Sequence, residues 1–328
     1  MGVQQTGGAI RPEKCRWYSI SFKWTNGIAQ YDYQSNVEPI TIEDSNGNKK
    51  VIEILHIKNG WKGIGVIAIP AGCWNDHVQY LIEDKIIPWN NSIRSSYLQK
   101  HDVYRAAFTS IFKTIDYTLP ATSLNENQCN KINAQLHKRY LPRIGVDNHM
   151  PLEYRYSPKK YQGLCSLNVH VKQFIEKMKI LLTHAGTQSQ LGKSIQLTLE
   201  SIQILVGANK PIISLPFSTY GCLAEKGWIQ EFWKSLEEYN IKIIGPYVRP
   251  KINRENDYPL MEKAVDADIY TDEDLSSLNR CRIYLQVHTI SEIANGAGTS
   301  ISYCAKNHIR DPDRESNYKW PNRQHTTK

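Results

Sequence analysis

The chain has 328 residues, 41 % of them hydrophobic and 22 % charged, a balance that excludes a wholly disordered or collagen-like polypeptide. Its longest apolar run, Gly63 to Trp74, is twelve residues and contains Gly and Pro; a bilayer helix needs about 20 apolar residues, so no membrane partner is expected. The net charge is +8, and ten basic against three acidic residues between Lys131 and Lys179 account for +7 of it.

Such a local positive field attracts a polyanion, nucleic acid above all. A solvated basic face is the competing reading of the same residues. Seven scattered cysteines with no C-x-x-C pair point to neither a disulfide framework nor a zinc ribbon. Met1 to Ile10 lacks the basic start and apolar middle of a signal peptide, so an intracellular protein is expected, nuclear or cytoplasmic.

Residues 15–70 carry the alternation of strands. Arg16 to Trp24 alternates as a half-buried strand and runs into a turn at Asn26-Gly27. Pro39 to Glu43 and Val51 to Leu55 flank a loop over Asp44 to Asn48, and Ile64 to Ile69 forms a third apolar run ended by Pro70. Together they predict a small antiparallel sheet.

From about Asn75 the period becomes helical. Val103, Ala107, Phe108, Ile111, Phe112 and Ile115 make one apolar stripe. Asn125 with Gln128 predicts a capping box for a helix bearing Cys129, Ile132, Leu136 and Tyr140 and stopped by Pro142. A further stripe of Val171, Phe174, Ile175, Met178, Leu181 and Leu182 closes at Gly186. Ile195, Leu199, Ile202 and Val206 follow, ended by Gly207. Trp228, Phe232, Trp233 and Leu236 give one helix more, and Thr271 with Asp274 caps another holding Leu275, Leu278 and Cys281. The tail from Asn307 is expected to be loose. The expected class is therefore α+β: a sheet over 1–74, a helical basic region over 75–186 and a helical carboxy-terminal extension over 187–328.

Catalytic patterns are sparse. Cys73 and His77 lie four apart, but two ligands without a second pair make a structural cysteine the better reading. No H-E-x-x-H or G-x-S-x-G spacing occurs. The glycines at 60, 63 and 65 precede a strand instead of opening a helix, unlike a phosphate cradle. The acids Asp266, Asp268, Asp272 and Asp274 sit beside a helix start, where they oppose its dipole.

Several phrases resemble the carboxy-terminal part of eukaryotic retroelement reverse transcriptases. Thr6-Gly7-Gly8-Ala9-Ile10-Arg11-Pro12-Glu13-Lys14-Cys15 is similar to the stretch that follows their catalytic aspartate box, with Arg11 where Asn is usual. Gly63-Ile64-Gly65-Val66 resembles the turn that abuts the primer strand, which makes Gly63 and Gly65 primer-grip-like positions. Thr118 to Leu124, Leu141 to Gly145, Ser157 to Leu164 and Asn279 to Val287 resemble the region downstream of the polymerase domain.

The resemblance implies the last palm strands, a thumb-like helical region and an extension, with template–primer RNA or DNA as the partner. Lys138, Arg139, Arg143, Arg155, Lys159 and Lys160 are the implied phosphate contacts, the last four expected on loops between helices. Interleaved Tyr154, Tyr156 and Tyr161 either stack on bases or anchor the loop. Lys14 matches the position suited to protonating a departing pyrophosphate. No Tyr/Phe-x-Asp-Asp box is present, so this chain by itself is expected to hold no cofactor and to lack polymerase activity; Mg²⁺ enters only if an upstream segment supplies the aspartates. The rival reading is a standalone helical protein-interaction protein whose basic patch is incidental.

Overall fold

The computed structural model describes residues 15–25, 28–32, 37–43, 48–243, 257–309 and 319–321. The Asn26-Gly27 turn, most of the Asp44 to Asn48 loop, Lys14 and most of the tail beyond Ile309 lie outside them. The class is α+β, with short strands first and helices after. Two compact units divide the chain, one of residues 1–25 and 29–172, the other of 26–28 and 173–328.

The strands are β1 (Arg16–Trp17), β2 (Ser21–Thr25), β3 (Ile28–Asp32), β4 (Thr41–Glu43), β5 (Lys49–Val51), β6 (Glu53–Ile54), β7 (Trp61–Gly63) and β8 (Val66–Ala68). Among the described residues they do not join into one sheet. They pair as four two-stranded ladders, β1–β6, β2–β3, β4–β5 and β7–β8. The β4–β5 and β7–β8 pairs are antiparallel, while β1 and β6 run parallel in the register Arg16↔Glu53 and Trp17↔Ile54. The expected strand over 16–24 is broken at Tyr18, whose hydroxyl donates to the Asn59 carbonyl oxygen at 2.9 Å. Among the described residues before Pro70, only Ile57 and Ile69 are fully buried hydrophobics. With each buried aliphatic side chain worth about 1.5–3 kcal/mol, these ladders contribute little to the core, and the helices carry the first unit.

Those helices are α1 (Asn75–Tyr80) and α2 (Ile87–Ser95), joined by a π-helical turn over Leu81–Ile86, then α3 (Lys100–Ala106) and α4 (Phe112–Asp116), joined by a second π turn over Ala107–Ile111. α5 (Glu126–Arg143) starts at the expected capping box: the Asn125 side chain accepts from the Gln128 N–H at 2.9 Å and Gln128 Oε1 accepts from the Asn125 N–H at 3.0 Å. The helix runs one residue past Pro142, which occupies its last turn and does not stop it. α6 (Leu152–Tyr156) and the start of α7 (Val169–His184) complete the unit. Its core gathers Leu81, Ile86, Val103, Ala107, Ile115, Cys129, Ile132, Leu136 and Tyr140.

The second unit takes the rest of α7, then α8 (Gln190–Val206), α9 (Phe217–Tyr220), α10 (Trp228–Glu238), α11 (Leu260–Asp266), α12 (Asp272–Leu285), α13 (Ile290–Ile293) and α14 (Tyr303–Lys306). Its core packs Phe174, Leu181, Ile195, Leu199, Val206, Phe232, Trp233 and Leu236. Gly207 ends α8 at φ +75°, a left-handed position suited to glycine. The Thr271/Asp274 capping box opens α12 as expected. The α7 stripe is only partly core, because Ile175 and Leu182 are exposed. Arg282 on α12 is buried and donates from Nη2 to the carbonyl oxygens of Ile204 and Leu205 at 2.7 and 2.8 Å, placing a cation at the negative end of α8.

Among the described residues no helix is long and apolar enough to cross a membrane.

Candidate nucleic-acid interface

α5 lays its apolar stripe on the first unit's core, which leaves Lys131, Lys138 and Arg139 on the opposite, exposed side. Lys131 and Lys138 stand seven residues apart, so two helical turns put them on one face. Lys131 belongs with the cations already singled out, and that i, i+7 spacing is the signal for it. Among the described residues none of these three side chains is ion-paired.

The neighbouring cations sit on a loop whose shape is fixed by its own backbone. Leu164 N–H donates to the Tyr154 carbonyl oxygen at 2.9 Å, Ser166 N–H to that of Arg155 at 3.0 Å, Cys165 N–H to that of Ser157 at 2.9 Å and Gly163 N–H to that of Pro158 at 3.2 Å. These four bonds draw 154–158 and 163–166 together and leave Lys159, Lys160 and Tyr161 at the turn. Gly163 is required by that closure, because a Cβ there would run into the Ser157 backbone. The loop is tied to the helices through Tyr104, whose hydroxyl donates to the Leu164 carbonyl oxygen at 2.9 Å, and through Tyr156, whose ring lies 5.7 Å from that of His137.

Lys159 and Lys160 are both exposed. The Lys159 ammonium stands 4.8 Å from the centre of the Tyr104 ring and that of Lys160 4.7 Å from the Tyr161 ring. Exposed cation–π contacts are worth about 0.5–1 kcal/mol, less than a charge-assisted phosphate bond, so either ammonium can exchange one for the other. Tyr154 and Tyr161 are 54 % and 64 % exposed, whereas Tyr156 is half-buried against His137 and anchors the loop.

Arg143 and Arg155 are placed otherwise than expected, and both correct the reading that their side chains reach out from loops. Arg143 ends α5, and its guanidinium donates to three backbone carbonyl oxygens: Ile93 at 3.0 Å, Ser96 at 2.7 Å and Leu98 at 3.2 Å. That is a cation on carbonyls at and just beyond the end of α2, where intrahelical donors run out. Arg155 lies on α6, and its Nη2 donates to the carbonyl oxygens of Asn148 and Met150 at 2.7 and 3.1 Å. Further along the basic segment, Lys172 pairs with Asp116 at 3.3 Å, Lys179 pairs with Glu176 at 2.7 Å, and Lys177 is buried with its ammonium 5.4 Å from the Trp228 ring centre. Local charge therefore overstates the free positive surface, which reduces to Lys131, Lys138, Arg139, Lys159 and Lys160.

The histidine behind this surface leaves its charge unchanged. Burial, with the Arg155 charge as the next cause, pushes the His137 imidazole down to about 4 against the pull of the nearby Asn133 backbone. His137 is then neutral at physiological pH and adds no charge.

Gly63 and Gly65 lie on a hairpin. Gly63 of β7 pairs with Val66 of β8, and the two residues between, Ile64 and Gly65, have φ of +47° and +84°, as a type I′ turn requires. A β-branched residue at positive φ is costly, and Ile64 at that tip is 87 % exposed. His77 is the Nδ1 acceptor of the Ile67 N–H at 3.2 Å, a structural role, and Cys73 is exposed. Among the described residues no three His, Cys, Asp or Glu side chains gather as a metal site. No protein-family profile, curated protein or solved structure matches the chain.

Proposed function

We propose that this chain is the carboxy-terminal part of a reverse-transcriptase-like retroelement protein and that it binds template–primer nucleic acid through phosphates. The observation that carries the reading is the set of exposed cations that, among the described residues, have no carboxylate partner, on α5 and the 154–166 loop, with Tyr154 and Tyr161 exposed beside Lys159 and Lys160. Lysines and arginines on rigid supports suit a strand's regularly spaced phosphates and read no base edges, so recognition is of backbone rather than sequence. Exposed tyrosine rings add sequence-tolerant stacking on unpaired bases at a template overhang. The hairpin tip at Ile64 supports the resemblance to a primer-contacting turn, and Lys14 keeps its proposed general-acid role only in company with aspartates from elsewhere.

The test is fluorescence anisotropy with two unrelated DNA duplexes and an RNA–DNA hybrid over a range of salt. Equal affinities that fall steeply with salt support the reading, and the absence of binding at low salt contradicts it. Primer extension by this chain with Mg²⁺ or Mn²⁺ is expected to give no incorporation.

One observation favours protein binding as the second reading. Ile175 with Leu182 on α7, and Leu197 with Ile204 on α8, are exposed apolar pairs at a spacing of seven. Pull-down of a protein partner that survives nuclease treatment, from a chain that fails to bind nucleic acid, would favour it.

A further inference from the structure

Lys62 on β7 and Lys85 in the π turn both bring their ammonium groups to one aromatic ring. The Lys62 Nζ stands 4.3 Å and the Lys85 Nζ 5.4 Å from the centre of the Tyr80 ring. The local geometry that allows this is specific. Tyr80 and Lys85 are five residues apart, and on a regular α-helix they would be turned roughly 140° from one another. The turn over Leu81–Ile86 is instead π-helical, with the Ile87 N–H donating to the Ile82 carbonyl oxygen, and i, i+5 residues then stand one above the other. Lys62 arrives from the β7–β8 hairpin, which packs on α1 through β8.

Two like charges around one ring call for a counter-charge. Among the described residues neither Lys62 nor Lys85 is ion-paired. The acids next to Lys85 in sequence do not fill the role: Glu83 accepts from the Gln79 side chain at 3.1 Å, and Asp84 is exposed. The field is felt by the phenol itself. Burial raises the Tyr80 hydroxyl, yet its interactions with the two lysines outweigh that and hold it below its ordinary value. Tyr80 is 9 % exposed and belongs to the first unit's core, so the ring is a rigid floor beneath the two ammoniums.

We propose that Lys62 and Lys85, gathered over Tyr80 by the π turn and the hairpin, form an oxyanion-binding site that takes a phosphate group. Lysine ammoniums bind phosphate as point charges, and two converging on one oxyanion replace the missing carboxylate. The Tyr80 hydroxyl is a further donor to the same ligand. The ligand is either free inorganic phosphate or a phosphodiester of a nucleic-acid strand. This site does not rest on the cations of α5 and the 154–166 loop.

The phenol reports on its own site. Inorganic phosphate is titrated into the full chain and the near-ultraviolet absorbance of Tyr80 is followed as the difference between wild type and Y80F. A saturable signal is expected in wild type and in the K159A/K160A variant, retained in K62R/K85R and weakened roughly tenfold or more in K62Q/K85Q. An oligonucleotide in place of phosphate identifies the source: the same signal means a phosphodiester, and its absence means free phosphate. No phosphate-dependent signal in wild type, or the same signal in a K62Q/K85Q chain of native circular dichroism, overturns the proposal. Loss of the signal in K159A/K160A also overturns it, since the site would then not be independent.

Discussion

Arg143 Nε donates to the Ile93 carbonyl oxygen at 3.0 Å, across fifty residues of sequence, and ties the end of α5 to the last turn of α2. With Ser96 and Leu98 as its other acceptors, this guanidinium is a helix C-cap delivered from another helix. It sits inside the most basic stretch of the chain and serves the fold. Arg282 does the same for α8 in the second unit, so the two units share a device.

Removal of that cap gives the first prediction. Arg143→Ala leaves three carbonyls short of a charged donor and should cost about 2–4 kcal/mol of stability. The urea midpoint should fall at unchanged m, while the salt dependence of nucleic-acid binding by the folded variant stays at the wild-type slope. A flattened slope would show that Arg143 touches phosphate after all.

Gly163 tests whether loop shape matters apart from charge. A Cβ at this position meets the Ser157 backbone, so Gly163→Ala must open the 154–166 loop at a cost of about 1–3 kcal/mol. Nucleic-acid affinity should fall although every lysine remains. Unchanged affinity in a folded Gly163→Ala chain would mean that the loop does not position Lys159 and Lys160.

The α5 and α12 starts are legible in the sequence because capping boxes are local: Asn125 meets Gln128, and Thr271 meets Asp274, within one turn. The same holds for Gly207 at the end of α8. The π turns are not legible, since the apolar spacing through Leu81–Ile86 fits an α-helix equally well, and the convergence of Lys62 and Lys85 on Tyr80 is hidden with them. Arg143 is misplaced by sequence reasoning because its acceptors are backbone carbonyls far away in the chain, which no pattern of side chains reveals. Charge counting likewise cannot tell Lys172, paired with Asp116, from the exposed Lys159, which rests on the Tyr104 ring. The broken strand at Tyr18 and the parallel β1–β6 pair escape alternation for a similar reason, as strand partners are not written into the strand itself.

Acid should destabilise the first unit through its buried histidines. Burial holds His77 at about 4, and burial with the Arg155 charge holds His137 at about 4, whereas an unfolded histidine titrates near 6.5. Between these values the unfolded chain binds more protons, so stability is level above pH 7 and falls as pH drops from about 6.5 towards 4. The full effect is on the order of 3 kcal/mol per histidine. For His77 the loss is coupled to a bond, since protonation of Nδ1 removes the acceptor of the Ile67 N–H. Urea melts at pH 7.5 and pH 5 should show this loss in wild type and about half of it in His137→Gln, a residue that stays neutral at both. Equal losses in the two proteins would refute the assignment to His137.

The phosphate-tracking surface depends most directly on the exposed pair at the turn of the 154–166 loop. Lys159→Ala with Lys160→Ala removes two cations that, among the described residues, pair with no carboxylate, and leaves every buried side chain in place, so circular dichroism should be unchanged. On duplex DNA, each phosphate that a lysine no longer neutralises lowers the slope of log affinity against log salt by about 0.9. A gel-shift titration of wild type and the double variant at two salt concentrations should therefore show weaker binding to all sequences alike and a slope reduced by nearly 2. Equal affinities for the two proteins at both salts would contradict a phosphate-tracking surface and leave these lysines as solvated charge.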